Sequence, residues 1–157
     1  MKYDPHKSSI GDLDANIIAL LVYLIPMLLG FINSTFESLA FLIPLLAFFM
    51  EKKSEFVIFH AANSLAFFGI TCILSLISSL LNLPLIMVTW IGNVLTIGLF
   101  SGFVAIIYVV LGIFFALVSI LLFGCEIYSL IKGYQYEEVD LPVIRILTRF
   151  ILSLHKS

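Results

Sequence analysis

A long apolar run from Ile17 to Ile131 dominates this sequence, and one cluster of charged residues at positions 51–55 divides it. The chain is 62% hydrophobic and 11% charged, with a mean hydropathy of +1.18. An average soluble domain is about 45–50% apolar and about 25% charged. A soluble domain of 157 residues could not bury this surplus, because small domains leave a large share of their surface exposed. The sequence therefore predicts an integral membrane protein with one domain.

The apolar segments predict an all-α bundle of four membrane-spanning helices within residues 17–131. We expect the spans at about residues 17–31, 35–50, 56–81 and 102–131. Residues 1–16 are predicted to be a polar tail. The segment 83–101 has no charged residue but contains Pro84 and two glycines, so we expect it to be re-entrant or interfacial.

The distribution of basic residues predicts the orientation of the bundle. With four spans, the N-terminal tail, the loop at 51–55 and the tail at 132–157 share one side, and that side collects all 8 Lys and Arg. Short cytoplasmic loops carry an excess of Lys and Arg. We therefore expect a protein of the cell membrane with both termini in the cytoplasm.

The C-terminal tail contains a predicted amphipathic helix at residues 143–156. One face carries the apolar residues Val143, Ile144, Ile146, Leu147, Phe150, Ile151 and Leu154. The other face carries Arg145, Thr148, Arg149, Ser153 and Lys156. This pattern is typical of a helix that lies in the membrane interface, with Arg145, Arg149 and Lys156 at the lipid surface. A helix that docks on a protein partner is the alternative.

Two ionisable residues inside the predicted spans form the candidate site. His60 and Glu126 each lie one to one and a half turns from a cytoplasmic span end, so antiparallel helices would bring them to a similar depth. Ionisable groups inside a membrane usually face a partner or water. We expect a hydrogen-bonded pair that locks two helices, and a role in handling protons or substrate is the alternative.

Small and polar residues form stripes along the last two spans. In the fourth span, Gly112 and Ala116 make a small-xxx-small pair on the face that also carries Ala105, Tyr108 and Ser119. Such stripes favour close helix packing. A polar groove for a transported molecule is the other interpretation.

Catalytic, metal and nucleotide motifs are missing from the sequence. It has no H-E-x-x-H, G-x-S-x-G or G-x-x-x-x-G-K-[ST], and His6, His60 and His155 are too scattered to predict a metal site. The net charge of −2 does not favour nucleic acid. We predict no enzyme activity and no cofactor.

The order of motifs resembles a family of small bacterial and archaeal membrane proteins of unknown function. That family is grouped with the twenty-kilodalton Tic subunit of the chloroplast inner-envelope protein import machinery. The family's Phe-Val-Arg-Phe-His-Ala run, followed by Gln or Asn, is matched by Phe56, Val57, Phe59, His60, Ala61 and Asn63, with Ile58 in place of the Arg. The resemblance implies a four-helix membrane bundle and, by analogy, a part in protein translocation.

The sequence leaves several functions open. A scaffold or translocation-related component is the first, with the lipid bilayer and either further copies of the chain or other membrane proteins as partners. A small-solute or proton-coupled transporter is the second, and an accessory subunit of a larger exporter is the third.

Overall fold

The computed structural model describes residues 1–32, 38–96 and 99–155, and these residues form an all-α protein. Its helices are α1 (Ala15–Ile32), α2 (Leu42–Met50), α3 (Glu55–Thr96), α4 (Leu99–Tyr134) and α5 (Pro142–His155). The described part has no β-strand, only isolated bridges that join Lys2 to Glu137 and Lys7 to Asp14. This confirms the all-α class expected from the sequence.

Four of the helices correspond to the predicted spans, but one predicted boundary is wrong. The prediction ended a span at Leu81 and placed a re-entrant or interfacial segment at 83–101. Instead, α3 continues through Pro84 to Thr96, and α4 begins at Leu99. A proline removes only one backbone donor, and membrane helices tolerate it. Residues 35–37, where the second span was expected to begin, lie outside the described residues.

The described chain forms two compact units. The first contains Met1–Gly69 and Gly124–Ser157, and the second contains Ile70–Phe123. The core of the first unit is built from buried side chains, and the most buried include Val22 and Tyr23 of α1 and Phe56, Val57 and Ala61 of α3, all at most 1% exposed. Ile144 of α5 and Val139 of the preceding segment add to it.

The second unit contains the rest of α3 and α4, and most of its described large apolar side chains are exposed. Exposed fractions reach 73% for Trp90, 70% for Val94 and 69% for Leu121. The less exposed residues recur every three or four positions, as in Leu74, Ser78, Asn82, Leu85 and Thr89 of α3, so one face of this helix is covered. Two described segments, Glu55–Gly92 and Gly102–Tyr134, are long and apolar enough to cross a membrane.

The N-terminal segment is folded against the first unit, although the sequence predicted a simple polar tail. The amide of Tyr3 donates to the carbonyl of Tyr136 at 2.8 Å, and the amide of Glu138 donates to the carbonyl of Met1 at 2.8 Å. Gly11 and Asp12 adopt φ values of +63° and +54°, which reverse the chain ahead of α1. The rings of Tyr3 and Tyr136 both lie against Phe56.

The α5 helix divides the predicted apolar face into two parts. Ile144 is 3% exposed and packs into the first unit, beside Thr148 at 1%. Val143, Ile146, Phe150 and Leu154 are between 59% and 72% exposed, and we call them the α5 apolar stripe. Thr148, which the helical projection placed on the polar face, is therefore a buried residue.

Candidate functional site

His60 lies near the start of α3 and is fully buried. Its ring packs edge-on against three aromatic rings, with centroid distances of 4.5 Å to Phe56, 5.3 Å to Phe59 and 5.8 Å to Tyr23. Gly133 of α4 lies close to the same ring. A Cβ atom added at this position would lie 3.4 Å from Nδ1 and Cε1 of His60. Residue 133 must therefore be small.

Both ring nitrogens of His60 have hydrogen-bond partners. Nε2 lies 3.2 Å from the carbonyl oxygen of Glu137, and Nδ1 lies 3.1 Å from the hydroxyl of Tyr23. A carbonyl oxygen can only accept, so Nε2 carries the proton and donates it. In the neutral imidazole, Nδ1 then accepts from the Tyr23 hydroxyl.

Asn63 connects His60 to α4 and α5. Its Nδ2 donates to the Tyr23 hydroxyl at 2.9 Å and to the Ser129 hydroxyl at 3.4 Å. Its Oδ1 accepts from the Thr148 hydroxyl at 3.1 Å. We call this set the His60 network, which contains Tyr23, His60, Asn63, Ser129, Thr148 and the carbonyl of Glu137. It joins α1, α3, α4, α5 and the turn after α4.

The partners of His60 differ from the partner expected from the sequence. With Tyr23 and Glu137 on the two ring nitrogens, no nitrogen remains for the carboxylate of Glu126. Glu126 is half-buried on α4. Similar depth in two helices does not fix the direction in which each side chain points, so depth alone did not identify the partner.

The residues of the Phe-Val-x-Phe-His-Ala motif take different positions. Phe56, Val57 and Ala61 are fully buried, and Asn63 is 2% exposed. Phe59 is only half-buried. The motif therefore packs the first unit through its buried side, and two of its polar members, His60 and Asn63, form the centre of the network.

A second polar cluster surrounds Glu51, which follows α2 and is fully buried. Its carboxylate accepts from the hydroxyls of Ser8 and Ser9, with 2.7 Å to Ser9. The backbone amides of Lys53 and Ser54 donate to it at 2.9 and 3.0 Å. We call this arrangement the Glu51 clamp.

The hydrogen bonds of the Glu51 clamp control its ionisation. Burial alone would raise the pKa of Glu51, but the serine hydroxyls and the backbone amides of residues 53 and 54 stabilise the carboxylate and hold its pKa at about 2. Glu51 is therefore charged at neutral pH and fastens the N-terminal segment to the loop before α3.

His6 fastens the same segment at a second point. Its Nδ1 donates to the carbonyl of Asp4 at 2.8 Å, and its Nε2 lies 2.7 Å from the hydroxyl of Ser54. The Ser54 oxygen also accepts from the amide of Val57, which is an N-cap interaction for α3. A serine hydroxyl beside a histidine resembles a nucleophile with its general base. However, Ser54 is only 1% exposed and its oxygen caps α3, so the pair has a structural role.

Charged residues hold the turn after α4 and connect it to the N-terminal segment through Tyr3. Lys132 pairs with Glu137 at 2.6 Å, and this interaction lowers the pKa of Glu137. The hydroxyl of Tyr3 donates to Glu138 at 2.6 Å. Burial and this hydrogen bond raise the pKa of Tyr3.

Of the predicted membrane-surface residues, the structure describes Arg145 and Arg149, both exposed on α5. Arg145 pairs with Asp140 at 2.8 Å. Lys156 lies outside the described residues.

The buried polar atoms of the first unit are largely paired, which favours a structural role. Within the described residues, Asn16 Oδ1 is the one buried side-chain nitrogen or oxygen without a hydrogen-bond partner. The same residues contain no group of three or more His, Cys, Asp or Glu that could hold a metal ion. Chemically, the His60 network links helices through neutral hydrogen bonds.

Sequence reasoning identified His60 and Asn63 but missed Tyr23, Thr148 and Glu51. Tyr23 stands in an apolar run, Thr148 falls on a polar helix face, and Glu51 belongs to a charged cluster that is typical of a solvated loop. The one usable signal was Tyr23, since the hydroxyl of a buried tyrosine usually needs a hydrogen-bond partner.

No protein-family model, curated protein or solved structure matches the chain.

Proposed function

We propose that the chain is a polytopic protein of the cell membrane that acts as a scaffold within a membrane assembly. The observation that carries this proposal is the exposed apolar surface of the second unit. From Phe56 to Cys125 the sequence has no Asp, Glu, Lys or Arg, and most of the large side chains of residues 70–92 and 102–123 are exposed. Exposed patches above a few hundred Å² are rare on soluble monomers.

The length of the two apolar helical segments supports the same proposal. Glu55–Gly92 and Gly102–Tyr134 contain 38 and 33 residues and rise about 57 and 50 Å, whereas a bilayer with its headgroup regions is about 40–45 Å thick. A helix in lipid satisfies its backbone hydrogen bonds internally, so both segments are long enough to cross a bilayer without exposing backbone groups.

Contacts within the first unit support a shared side for the three basic regions. Ser9 of the N-terminal segment bonds Glu51 of the loop at 2.7 Å, and Tyr3 bonds Glu138 after α4 at 2.6 Å. Since excess Lys and Arg favour the cytoplasm, we assign the N-terminal segment, the 51–54 loop and α5 to the cytoplasmic side.

A scaffold role is favoured over transport because the His60 network is occupied by internal hydrogen bonds. A translocation-related assembly, which the Tic-like sequence features imply, is one setting for such a scaffold. The exposed face of α4 that carries Gly112 and Ala116 suits a second copy of the chain, since an added Cβ at Gly112 would meet nothing within 4 Å.

Proton-coupled transport is the second candidate function, and Glu126 favours it. This half-buried carboxylate has no hydrogen-bond or ion-pair partner among the described residues, and an ionisable group inside a membrane segment is often functional. Loss of activity in a Glu126→Gln variant that is folded and assembled normally would favour transport over the scaffold.

Cysteine labelling in intact cells tests the topology. In a background without Cys72 and Cys125, cysteine replaces Lys53 or Val94, which are both exposed. We expect an impermeant thiol reagent to label Val94→Cys and to leave Lys53→Cys unlabelled until the cells are opened. Labelling of Lys53→Cys in intact cells would reject the orientation, and extraction of the protein by alkaline carbonate would reject membrane insertion.

Disulfide crosslinking in native membranes tests the scaffold proposal. Ala116→Cys lies on the small-residue face of α4, and Phe114→Cys is a matched control on another exposed face. We expect crosslinked dimers for Ala116→Cys and several-fold fewer for Phe114→Cys. Equal yields, together with the mass of a single chain after mild solubilisation, would reject the scaffold.

A further inference from the structure

A cleft of about 360 Å³ opens in the first unit beside α5. Its walls come from α5, the start of α3, the N-terminus and the segment 138–140. The lining residues that matter are Phe59, Asn63, Asp140, Arg145, Thr148 and Arg149. We call it the α5 cleft. Arg145 and Arg149 both contribute to its lining.

The charges around the α5 cleft leave one cation free. The carboxylate of Asp140 forms an ion pair with the guanidinium of Arg145 at 2.8 Å. Glu138 accepts from Tyr3 at 2.6 Å and lies 3.9 Å from the N-terminal amine. The guanidinium of Arg149 has no hydrogen-bond or ion-pair partner within the described residues, so its donors can bind an anion.

Apolar side chains stand beside this free arginine on the same helix. Ile146 precedes Arg149 by three positions, so the two are neighbours on the helix surface. Ile146 is 72% exposed and Phe150 is 62% exposed, and both belong to the α5 apolar stripe. A soluble anion would use the arginine alone, whereas a lipid would use both features.

We propose that the α5 cleft binds the phosphate of an anionic phospholipid through Arg149, with the acyl chains along the α5 apolar stripe. Guanidinium groups bind phosphate through paired N–H donors. The cleft supplies room for the headgroup, and the exposed stripe supplies a surface that lipid chains would cover. This inference rests on the proposed membrane location, to which it adds a defined lipid site.

The test uses the full-length protein in phosphatidylcholine nanodiscs that contain a graded fraction of phosphatidylglycerol. Retention of phosphatidylglycerol is measured by native mass spectrometry for the wild type, Arg149→Gln, Arg149→Lys and Lys53→Gln. Lys53 is an exposed cation outside the cleft, so Lys53→Gln matches the charge change. We expect Arg149→Gln to weaken retention at least five-fold, Arg149→Lys to weaken it less, and Lys53→Gln to leave it within two-fold.

Three results would overturn the inference. Equal weakening by Arg149→Gln and Lys53→Gln would mean that only the total charge matters. Displacement of the lipid by an equal concentration of glycerol 3-phosphate would mean that the apolar stripe contributes nothing. Equal retention of phosphatidylglycerol and phosphatidylcholine by a protein that resists carbonate extraction would remove the site and leave the proposed membrane function intact.

Discussion

The Glu51 clamp gives the sharpest prediction, because one buried carboxylate holds the N-terminal segment on the first unit. Replacing Glu51 with Gln removes the charge and puts an NH₂ group among the donors of Ser8, Ser9 and the 53–54 backbone. A glutamine can accept through one oxygen only. At least one donor of the clamp then faces another donor.

The size of the effect follows from the ionisation of Glu51. A fall of the pKa from 4.5 to about 2 corresponds to roughly 3 kcal/mol of preference for the charged form. A glutamine keeps one acceptor oxygen for these donors, so only part of that figure is lost. We therefore expect Glu51→Gln to lower the free energy of unfolding by about 1–2 kcal/mol at pH 7, which is the range for one or two lost hydrogen bonds to a charged group.

The pH dependence has a defined sign. The pKa of Glu51 is lower in the folded state than in the unfolded state, so its stabilisation is present above the unfolded pKa and is lost as the pH falls. It should be complete above about pH 5 and mostly gone near pH 2. The difference in stability between wild type and Glu51→Gln should shrink over the same interval.

The assay combines thermal unfolding of the detergent-purified protein with hydrogen exchange of peptides that cover residues 5–12 and 51–56. Glu55→Gln is the matched control, because Glu55 is exposed and lies outside the clamp. We expect faster exchange in both peptides for Glu51→Gln and little change for Glu55→Gln. Equal shifts in Tm for the two variants, with unchanged exchange at 5–12, would refute the clamp.

Three further predictions concern the His60 network. Tyr23→Phe should lower the Tm, because it leaves Nδ1 of His60 without a donor, and the loss of such a hydrogen bond costs about 0.6–1.7 kcal/mol in a membrane. Tyr108→Phe is the control, and equal Tm values for the two variants would count against the hydrogen bond between Tyr23 and His60. His60→Leu and Glu126→Leu should have additive effects on unfolding, and a double variant that regains stability would instead mean that the two residues touch. Gly133→Leu should destabilise the protein by about 1–3 kcal/mol through overpacking. Gly124→Leu, whose Cβ position is open, should unfold like the wild type, and equal Tm losses for the two variants would refute the close contact at Gly133.

The helical class and the approximate positions of α1 and α4 could be predicted, because long apolar runs without charge admit few other structures. The end of α3 could not be predicted from Pro84. A proline raises the free energy of the helical conformation around it, but whether the helix continues depends on whether the surroundings satisfy the freed carbonyl.

Side-chain roles were harder to predict than helices, because they depend on partners that are distant in sequence. Glu51 is buried only because Ser8 and Ser9, more than forty positions earlier, supply hydroxyl donors. Thr148 is buried only because Asn63 offers an acceptor at 3.1 Å. The helical projection placed Thr148 toward solvent by residue type, and the charged cluster at 51–55 indicated a solvated loop for Glu51.

The hydrogen-bond partner of His60 could not be predicted for the same reason, because it is a backbone carbonyl positioned by a turn. The carbonyl of Glu137 reaches His60 because α4 ends at Tyr134 and Tyr136 takes a φ of +59°, which reverses the chain. The amide of Glu137 donates to the carbonyl of Lys132 at 2.9 Å, which fixes that reversal in place. Tyrosine seldom adopts a left-handed conformation, so the sequence carried no signal for this turn. A neutral carbonyl therefore occupies one ring nitrogen of His60 and the Tyr23 hydroxyl occupies the other, and the histidine connects the end of α4 to α1 and α3.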